Sequence, residues 1–545
     1  MAELEHDVLR GASKNLPTGV WGYSFASISP LDSELESYTK KVDAIKEKVK
    51  DMLIQSTKEL ANIEFIDLLC RLGVSYHFEN EIDSQLNRIF TTLPNFLEHN
   101  NYELHTLATL FRVLRQHGYK MTSDVFKKFK DKNGKFKSSM IDDVKGLLCL
   151  YEACFLAVDG EDILEEALSF TRKHLKSLAE NLSHRFQKHI RNALIFPYQR
   201  TMERLGTLHY IFFYEADESP NETLLKFAKL DFNRLQLLYR KELALLSIWW
   251  KNTNVVESLP YGRDRLVMSY IWAVGSIFEP QYSLSRMIIC KYVLLSTVVD
   301  DTYDTYGTFD ELCRFTTALQ KFNTDVVDQL PDYMKFLYKF ILTFFEETEK
   351  DSGGEGCFYK ASFAREMLKE LATSYFVEKN WQRERKAPLF KEYMEHGLVT
   401  STLDFISSAL IQGIENLGMK EILWIRNNPQ IIIAAKFCGR LMNDLAVRTD
   451  ETNRDDFPKA VDCYMEEHRV SRDEAIESIV KIIENKWKKI NEEMMKPSSG
   501  ERILIKLALN YSRMAMLYYN SSDMFTYESS SQELVMSIII NPISM

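Results

Sequence analysis

An all-α fold is what this sequence predicts, and two observations carry that prediction. Helix breakers are scarce: Pro and Gly number 13 and 20 in 545 residues, well under the roughly 12% of average proteins. Apolar residues also recur at three- and four-residue steps from one end of the chain to the other. A chain of 63.7 kDa is too long for one compact core, so more than one domain is expected. With 45% apolar and 27% charged residues, the composition is that of ordinary globular material. No repeat of 20–50 residues is found, which argues against a regular solenoid.

In NYELHTLATLFRVLRQHGYK, residues 101–120, Leu104, Leu107, Leu110, Phe111 and Leu114 line one helical face, and the pattern stops before Gly118. The polar stretch EADESPNET, 215–223, reads as an interdomain turn. EKDSGGEG, 349–356, reads as a surface loop in the second domain. In SRDEAIESIVKIIENKWKKI, 471–490, Ser471 and Glu474 form a capping box. Ile476, Ile479, Val480, Ile483, Trp487 and Ile490 follow on one face.

A net charge of −10 without a basic stripe argues against a nucleic-acid partner. The eight cysteines, at 70, 149, 154, 290, 313, 357, 438 and 463, show no CxxC pairing and read as scattered reduced thiols. No apolar run reaches the roughly 18 residues of a membrane span, and the opening MAELEHDVLRGASKN lacks a signal-peptide core and a transit-peptide composition. A cytoplasmic enzyme or scaffold is the expectation.

The sharpest chemical signal is DDTYD. Asp300 and Asp304 stand directly behind the apolar run Met287 to Val299. On a straight α-helix they project about 40° apart on one face. Like charges so placed repel, and an acidic helix C-terminus opposes the macrodipole. Magnesium resolves both problems, being a hard cation that takes carboxylate oxygens, keeps waters and is completed by substrate phosphates. Alone, the motif reads equally as a solvated helix end. A second cluster, GRLMNDLAVRTDE, places Asn443, Val447 and Glu451 at four-residue steps, with Arg440 one turn earlier. Upstream, Arg263 and Arg265 carry guanidinium forks that match phosphate oxygens. Singly these arginines read as surface charge; with two metal-type clusters they describe a diphosphate site.

RDR at 263–265, Trp272 followed by FEPQYS, DDTYD at 300–304 and the Asn443–Glu451 stretch after Arg440 resemble the plant class I terpene synthases in order and spacing. RLGVSYHFENEI (71–82), FRVLRQHGY (111–119) and DVKGLLCLYEACFLAVDGEDILEEA (143–167) are similar to that family's N-terminal domain, so the likeness covers nearly the whole chain. The resemblance implies two α-helical domains. Residues 1–222 would form a double-barrel-like domain without an active site, in keeping with the absence of any DxDD, and 223–545 the catalytic helical bundle. It implies a monomer without a membrane span, acting on a prenyl diphosphate with three magnesium ions, manganese being a substitute. Asp300 and Asp304 would bind two ions, with Asp301 in support. Asn443 and Glu451, with position 447 between them, would bind the third. Arg263, Arg265 and Arg440 would hold the departing diphosphate. Trp272 matches the cavity-floor tryptophan; Tyr518, Phe525 and Tyr527 match the C-terminal lid and cavity segment; Asp523 matches an acid assigned to polarising the local tyrosine.

Three positions depart from the family pattern. Val447 offers no oxygen where Ser or Thr is usual, so water replaces it or the ion binds more weakly. LRGASKNLPTGVW keeps Arg10 and Trp21 but has Gly11 and Ala12 where a tandem arginine would fall. About 20 residues precede Trp21, which favours the cytosol and farnesyl diphosphate, hence a sesquiterpene synthase. Asp404 takes the place of a cavity residue, or else is a solvent-facing acid. The alternatives are a monoterpene or diterpene synthase, a chain-elongating prenyltransferase and a catalytically dead helical scaffold.

Overall fold

The computed structural model describes residues 19–55, 59–99, 102–180, 182–351, 353, 358–446, 459–496, 502–520 and 522–545. Among them no strand forms, and Lys130 and Phe136 make only an isolated antiparallel bridge. The fold is all-α. The described residues fall into two compact units. One unites those of Tyr239–Lys486 and Ser499–Met536 with the N-terminal stretch up to Ser29; the other comprises Pro30–Leu238, Trp487–Ser498 and Ser537–Met545. The polar turn near 215–223 lies between the helices Glu203–Glu215 and Glu222–Thr253. The units part instead between Leu238 and Tyr239, inside the second of these helices. The reason is that side-chain contacts, not the turn, decide membership. Asn233 bonds the Ile543 carbonyl at 2.8 Å in one unit, whereas Tyr239 donates to the Phe278 carbonyl at 2.8 Å in the other.

In the Pro30–Leu238 unit the helix Leu104–Gln116 buries Leu104, Leu107, Leu110, Phe111 and Leu114. It stops where Gly118 adopts φ +89°, a left-handed conformation that glycine reaches at little cost. One buried polar cluster of this interior is matched in charge. Arg71 binds Asp67 at 3.0 Å and pairs with Glu152, while Arg112 pairs with Asp67. Both guanidiniums lie over Tyr198, at 4.7 and 5.1 Å. Two cations and two anions match, as buried charges require.

The helix Arg472–Met494 begins at the expected capping box, with the Ser471 amide donating to Glu474 Oε2 at 2.8 Å. Ile479, Ile483, Trp487 and Ile490 are buried, but Val480 is 44% exposed, because one residue beyond Ile479 is about 100° around the helix.

Among the described residues, seven helices of the unit that holds Tyr239–Lys486 frame its cavity: α1 (Leu266–Ser276), α2 (Ser283–Asp301), α3 (Phe358–Glu384), α4 (Phe390–Thr400), α5 (Leu403–Gly413), α6 (Gln430–Ala446) and α7 (Arg502–Tyr519). Helix α1 is buried at every position, as expected of a helix apolar on all sides. Contrary to the sequence reading, one stretch among the described residues, Pro280–Tyr306, is long and apolar enough to cross a membrane. Its most apolar part is, however, mostly buried inside the protein, as in a core helix. The cysteines among the described residues are all free thiols.

Candidate active site

The α-helical part of α2 ends at Asp301, and Thr302–Tyr306 continue as a π turn. Its i→i+5 bond runs from the Gly307 amide to the Thr302 carbonyl at 2.8 Å. Asp304 is therefore placed by a wider turn than the straight helix assumed from sequence. Tyr261 pins this turn: its hydroxyl bonds Thr302 Oγ1 at 2.9 Å, and its ring stacks on Tyr306 at 4.0 Å.

Arg263 meets the acidic pair directly. Its amide donates to Asp301 Oδ2 at 2.7 Å, Nε to Asp301 Oδ1 at 2.8 Å and Nη2 to Asp300 Oδ2 at 2.9 Å. Burial pushes the Asp301 carboxyl up to about 6 although Arg263 opposes the shift, and Asp300 is raised for the same reason. Arg440 and Lys459 also pull the Asp300 carboxyl down, but burial outweighs them.

These groups open onto a cavity of about 630 Å³, within the 300–1,000 Å³ typical of small-ligand sites. Of the residues singled out from sequence, Arg263, Trp272, Asp300, Asp301, Asp304, Arg440, Asn443, Asp523, Phe525 and Tyr527 share its wall. Trp272 stands edge-on to Tyr511 and Tyr518, with centroids 5.5 and 5.1 Å away. Asp523 accepts from Thr526 Oγ1 at 2.6 Å and from the amides of Phe525 and Thr526, so its bonds go to its own loop.

Three expected residues lie elsewhere. Arg265 is fully buried, and its fork is taken up by the carbonyls of Phe525 (2.8 Å) and Thr526 (2.7 Å); it anchors the C-terminal loop. Tyr518 donates to the Met268 carbonyl at 2.8 Å behind Trp272, and it is Tyr519 that reaches the cavity. Adjacent helical residues point about 100° apart, so one residue decides between core and cavity. Asp404 is neither at the cavity nor facing solvent; it pairs with buried Lys436. Val447 and Glu451 lie outside the described residues, as do Arg10, Gly11, Ala12, 352 and 354–356.

The structure adds residues the sequence reading missed. Tyr375, Glu378 and Trp381, all on α3, line the cavity together with Tyr393, Thr400 and Lys459. Burial raises the Glu378 carboxyl against the pull of Arg440. The i, i+3 and i+6 spacing on α3 was a readable signal, although an aromatic at such spacing more often means core. Arg440 donates from Nε to the Tyr393 hydroxyl at 2.8 Å and from Nη1 to Thr400 Oγ1 at 3.3 Å. Tyr393 in turn donates to Asp444 at 2.6 Å.

The metal-binding domain of the terpene synthase family matches residues 251–489, and that family's N-terminal domain matches residues 20–194. Terpene synthase 5 of Ricinus communis is 56% identical over all of this chain and 99% of its own. The chain belongs to the terpene synthase family. Casbene synthase, chloroplastic, of Ricinus communis is 43% identical to this terpene synthase over 97% of it and 88% of the relative, and a valerianol synthase of Camellia hiemalis is 41% identical over 97% and 96%. Among solved structures, a limonene synthase holding 2-fluorolinalyl diphosphate superposes with TM-score 0.90 at 30% identity, covering 98% of this chain and all of that one. Isoprene synthase from grey poplar, holding three Mg2+ ions and dimethylallyl-S-thiolodiphosphate, superposes with TM-score 0.85 at 31% identity, covering 96% and 99%. The protein is thus a lyase acting on prenyl diphosphates, with a metal-binding catalytic domain.

The donor set fits a hard divalent cation. Asp300, Asp304 and the Asn443 amide offer only oxygen at the cavity, the chemistry that suits magnesium rather than a thiolate-seeking metal. Among the described residues, no three His, Cys, Asp or Glu side chains stand grouped to hold an ion alone.

Proposed function

We propose that this terpene synthase is a magnesium-dependent sesquiterpene synthase, which ionises farnesyl diphosphate and rearranges or cyclises the resulting cation to a hydrocarbon or alcohol. The observation that carries the proposal is one cavity wall bearing Asp300, Asp304, Asn443, Arg263 and Arg440 beside Trp272, Tyr375, Tyr519 and Phe525. The first group is suited to a diphosphate and its metal ions, the second to an allylic cation.

Asp300 and Asp304 would hold magnesium, with Asn443 contributing to a further ion; three ions in all follow the pattern of the isoprene synthase complex, and manganese is a substitute. Bound there, the ions supply charge neutralisation at the leaving diphosphate. Arg263 and Arg440 add fixed positive charge where negative charge develops, and such preorganised charge is worth more in a water-poor site than in solvent. Trp272 and its neighbours present ring faces that attract a cation without offering a good nucleophile.

A C15 substrate is supported by the valerianol synthase likeness at 41% identity. The 43% likeness to casbene synthase favours a second reading, a diterpene synthase using geranylgeranyl diphosphate. Incubation of the purified protein with Mg2+ and, separately, geranyl, farnesyl and geranylgeranyl diphosphates, followed by gas chromatography with mass detection, decides between them. Sesquiterpenes from farnesyl diphosphate are the expected result. Turnover of the C20 substrate alone would establish the second reading, and no product from any would refute both.

A further inference from the structure

One arrangement recurs around both cavity arginines: arginine donates to a hydroxyl, and that hydroxyl donates to a carboxylate. Arg263 Nη1 donates to Thr526 Oγ1 at 3.0 Å, which donates to Asp523 Oδ2 at 2.6 Å. Arg440 Nε donates to the Tyr393 hydroxyl at 2.8 Å, which donates to Asp444 Oδ2 at 2.6 Å. A third case runs from Arg440 Nη1 through Thr400 Oγ1 at 3.3 Å to Glu378 Oε1 at 2.8 Å. Both aspartates are also tied to backbone. Asp523 takes the amides of Phe525 and Thr526 at 3.0 Å each, and Asp444 takes the Ala460 amide at 3.2 Å.

A hydroxyl has one proton and two lone pairs. When its proton is committed to a carboxylate, only its lone pairs remain, and it can act toward the arginine only as an acceptor. A direct bidentate Arg–Asp pair would occupy two of the five guanidinium N–H groups and cancel the charge at contact distance. The interposed hydroxyl uses one N–H; it keeps Asp523 one group away from Arg263, whereas Asp444 also reaches Arg440 Nη2 directly at 3.4 Å. The hydroxyl fixes the direction of the guanidinium at the cost of a single N–H. For Arg263 this matters most: its Nε and Nη2 bonds go to Asp301 and Asp300, so the Thr526 bond is the one that does not depend on the acidic motif.

We propose that Tyr393 and Thr526, backed by Asp444 and Asp523, are positioning residues that aim Arg440 and Arg263 at the diphosphate. The inference rests on the reading of these arginines as diphosphate contacts. Neither hydroxyl needs to touch the substrate; each acts through its arginine.

The test compares wild type with Thr526→Val, Thr526→Ser and Tyr393→Phe. Steady-state kinetics are measured on the accepted prenyl diphosphate, and binding of inorganic pyrophosphate with Mg2+ is followed by calorimetry. Thr526→Val and Tyr393→Phe are expected to lower kcat and weaken pyrophosphate about ten- to hundredfold, the range of a hydrogen bond to a charged group. Thr526→Ser, which keeps the hydroxyl, should restore both. Thr526 lies on a half-buried loop, so this comparison stands even if Tyr393→Phe does not fold. Folded Thr526→Val with wild-type kcat and pyrophosphate affinity, or Thr526→Ser as impaired as the valine variant, would overturn the inference alone. A wild-type protein that binds no pyrophosphate would overturn the reading of the arginines and the inference with it.

Discussion

Gly439 sits on α6 immediately before Arg440, and its replacement by alanine tests how rigid the cavity wall is. A Cβ there would fall 2.3 Å from the Tyr511 hydroxyl oxygen, 2.5 Å from its Cε1 and 2.7 Å from its Cζ. Non-bonded carbon atoms prefer about 3.5–4.0 Å, so the ring must move. Tyr511 is not free to do so cheaply, because it is buried, donates to the Ser401 carbonyl at 2.5 Å and stands edge-on to Trp272. Against the change stand an overpacking cost of about 1–3 kcal/mol and about 1–3 kcal/mol for a buried hydroxyl and carbonyl left unpaired. In its favour stands the helix propensity of alanine over glycine, about 1 kcal/mol. The net is a loss of about 1–5 kcal/mol, so the sign holds even at the lower limit. Guanidinium unfolding should show a lower midpoint at unchanged m. The product profile should also shift, because Tyr511 and Trp272 shape the cavity. In a Tyr511→Ala background the glycine change should cost less, a coupling that a double-mutant cycle reads. Gly439→Ala as stable as wild type, or strictly additive with Tyr511→Ala, would refute the reasoning.

Asp300→Ala or Asp304→Ala should cut turnover at least about a hundredfold, given the several kcal/mol a metal ion contributes to charge stabilisation, while unfolding stays cooperative; near-normal turnover would remove the metal assignment. Glu152→Gln should destabilise the Pro30–Leu238 unit by about 3 kcal/mol, the cost of breaking a buried ion pair, as measured by denaturant unfolding. Burial alone would raise the Asp67 and Glu152 carboxyls, but Arg112 and Arg71 hold both below the usual range. Their stabilisation is therefore full above about pH 4.5 and is lost as pH falls through the depressed values; acid titration of Glu152→Gln should show a shallower dependence. Lys436→Met strands the half-buried Asp404 carboxylate and should destabilise by about 1–3 kcal/mol, with Asp404→Asn in the same chain recovering much of it; no recovery would mean that the lysine stem, not its charge, matters. Val447→Ser should lower the Mg2+ concentration giving half-maximal rate, since a hydroxyl adds the oxygen that valine lacks; an unchanged titration would show that water or a neighbour already serves.

Much of the site was legible because its chemistry is written in short local motifs. Asp300 with Asp304 could be read from their four-residue separation, Asn443 from its place after Arg440 on α6, and Arg263 from its place before α1. What local spacing could not supply was orientation across elements. Arg263 and Arg265 differ by two positions in a loop, yet one grips the acidic pair and the other the carbonyls of Phe525 and Thr526. Tyr518 and Tyr519 are neighbours on α7, and only the packing of α7 against Trp272 assigns one to the core and the other to the cavity. Tyr393 and Thr526 gave no signal at all, since a hydroxyl between an arginine and an aspartate exists only once two segments distant in sequence have come together.

By itself the sequence determined that the chain is helical, that its second half handles a diphosphate with hard cations, and which family it resembles. The first follows from composition and periodicity; the other two follow from short motifs in several segments and the resemblance they carry. Tertiary structure alone decided that the units part inside the helix Glu222–Thr253, that Asp304 rides on a π turn, that Asp404 pairs with Lys436, and which aromatics face the cavity. Each of these turns on the free energy of burying a particular side chain against residues distant in sequence, and that balance is not contained in any local stretch of the chain.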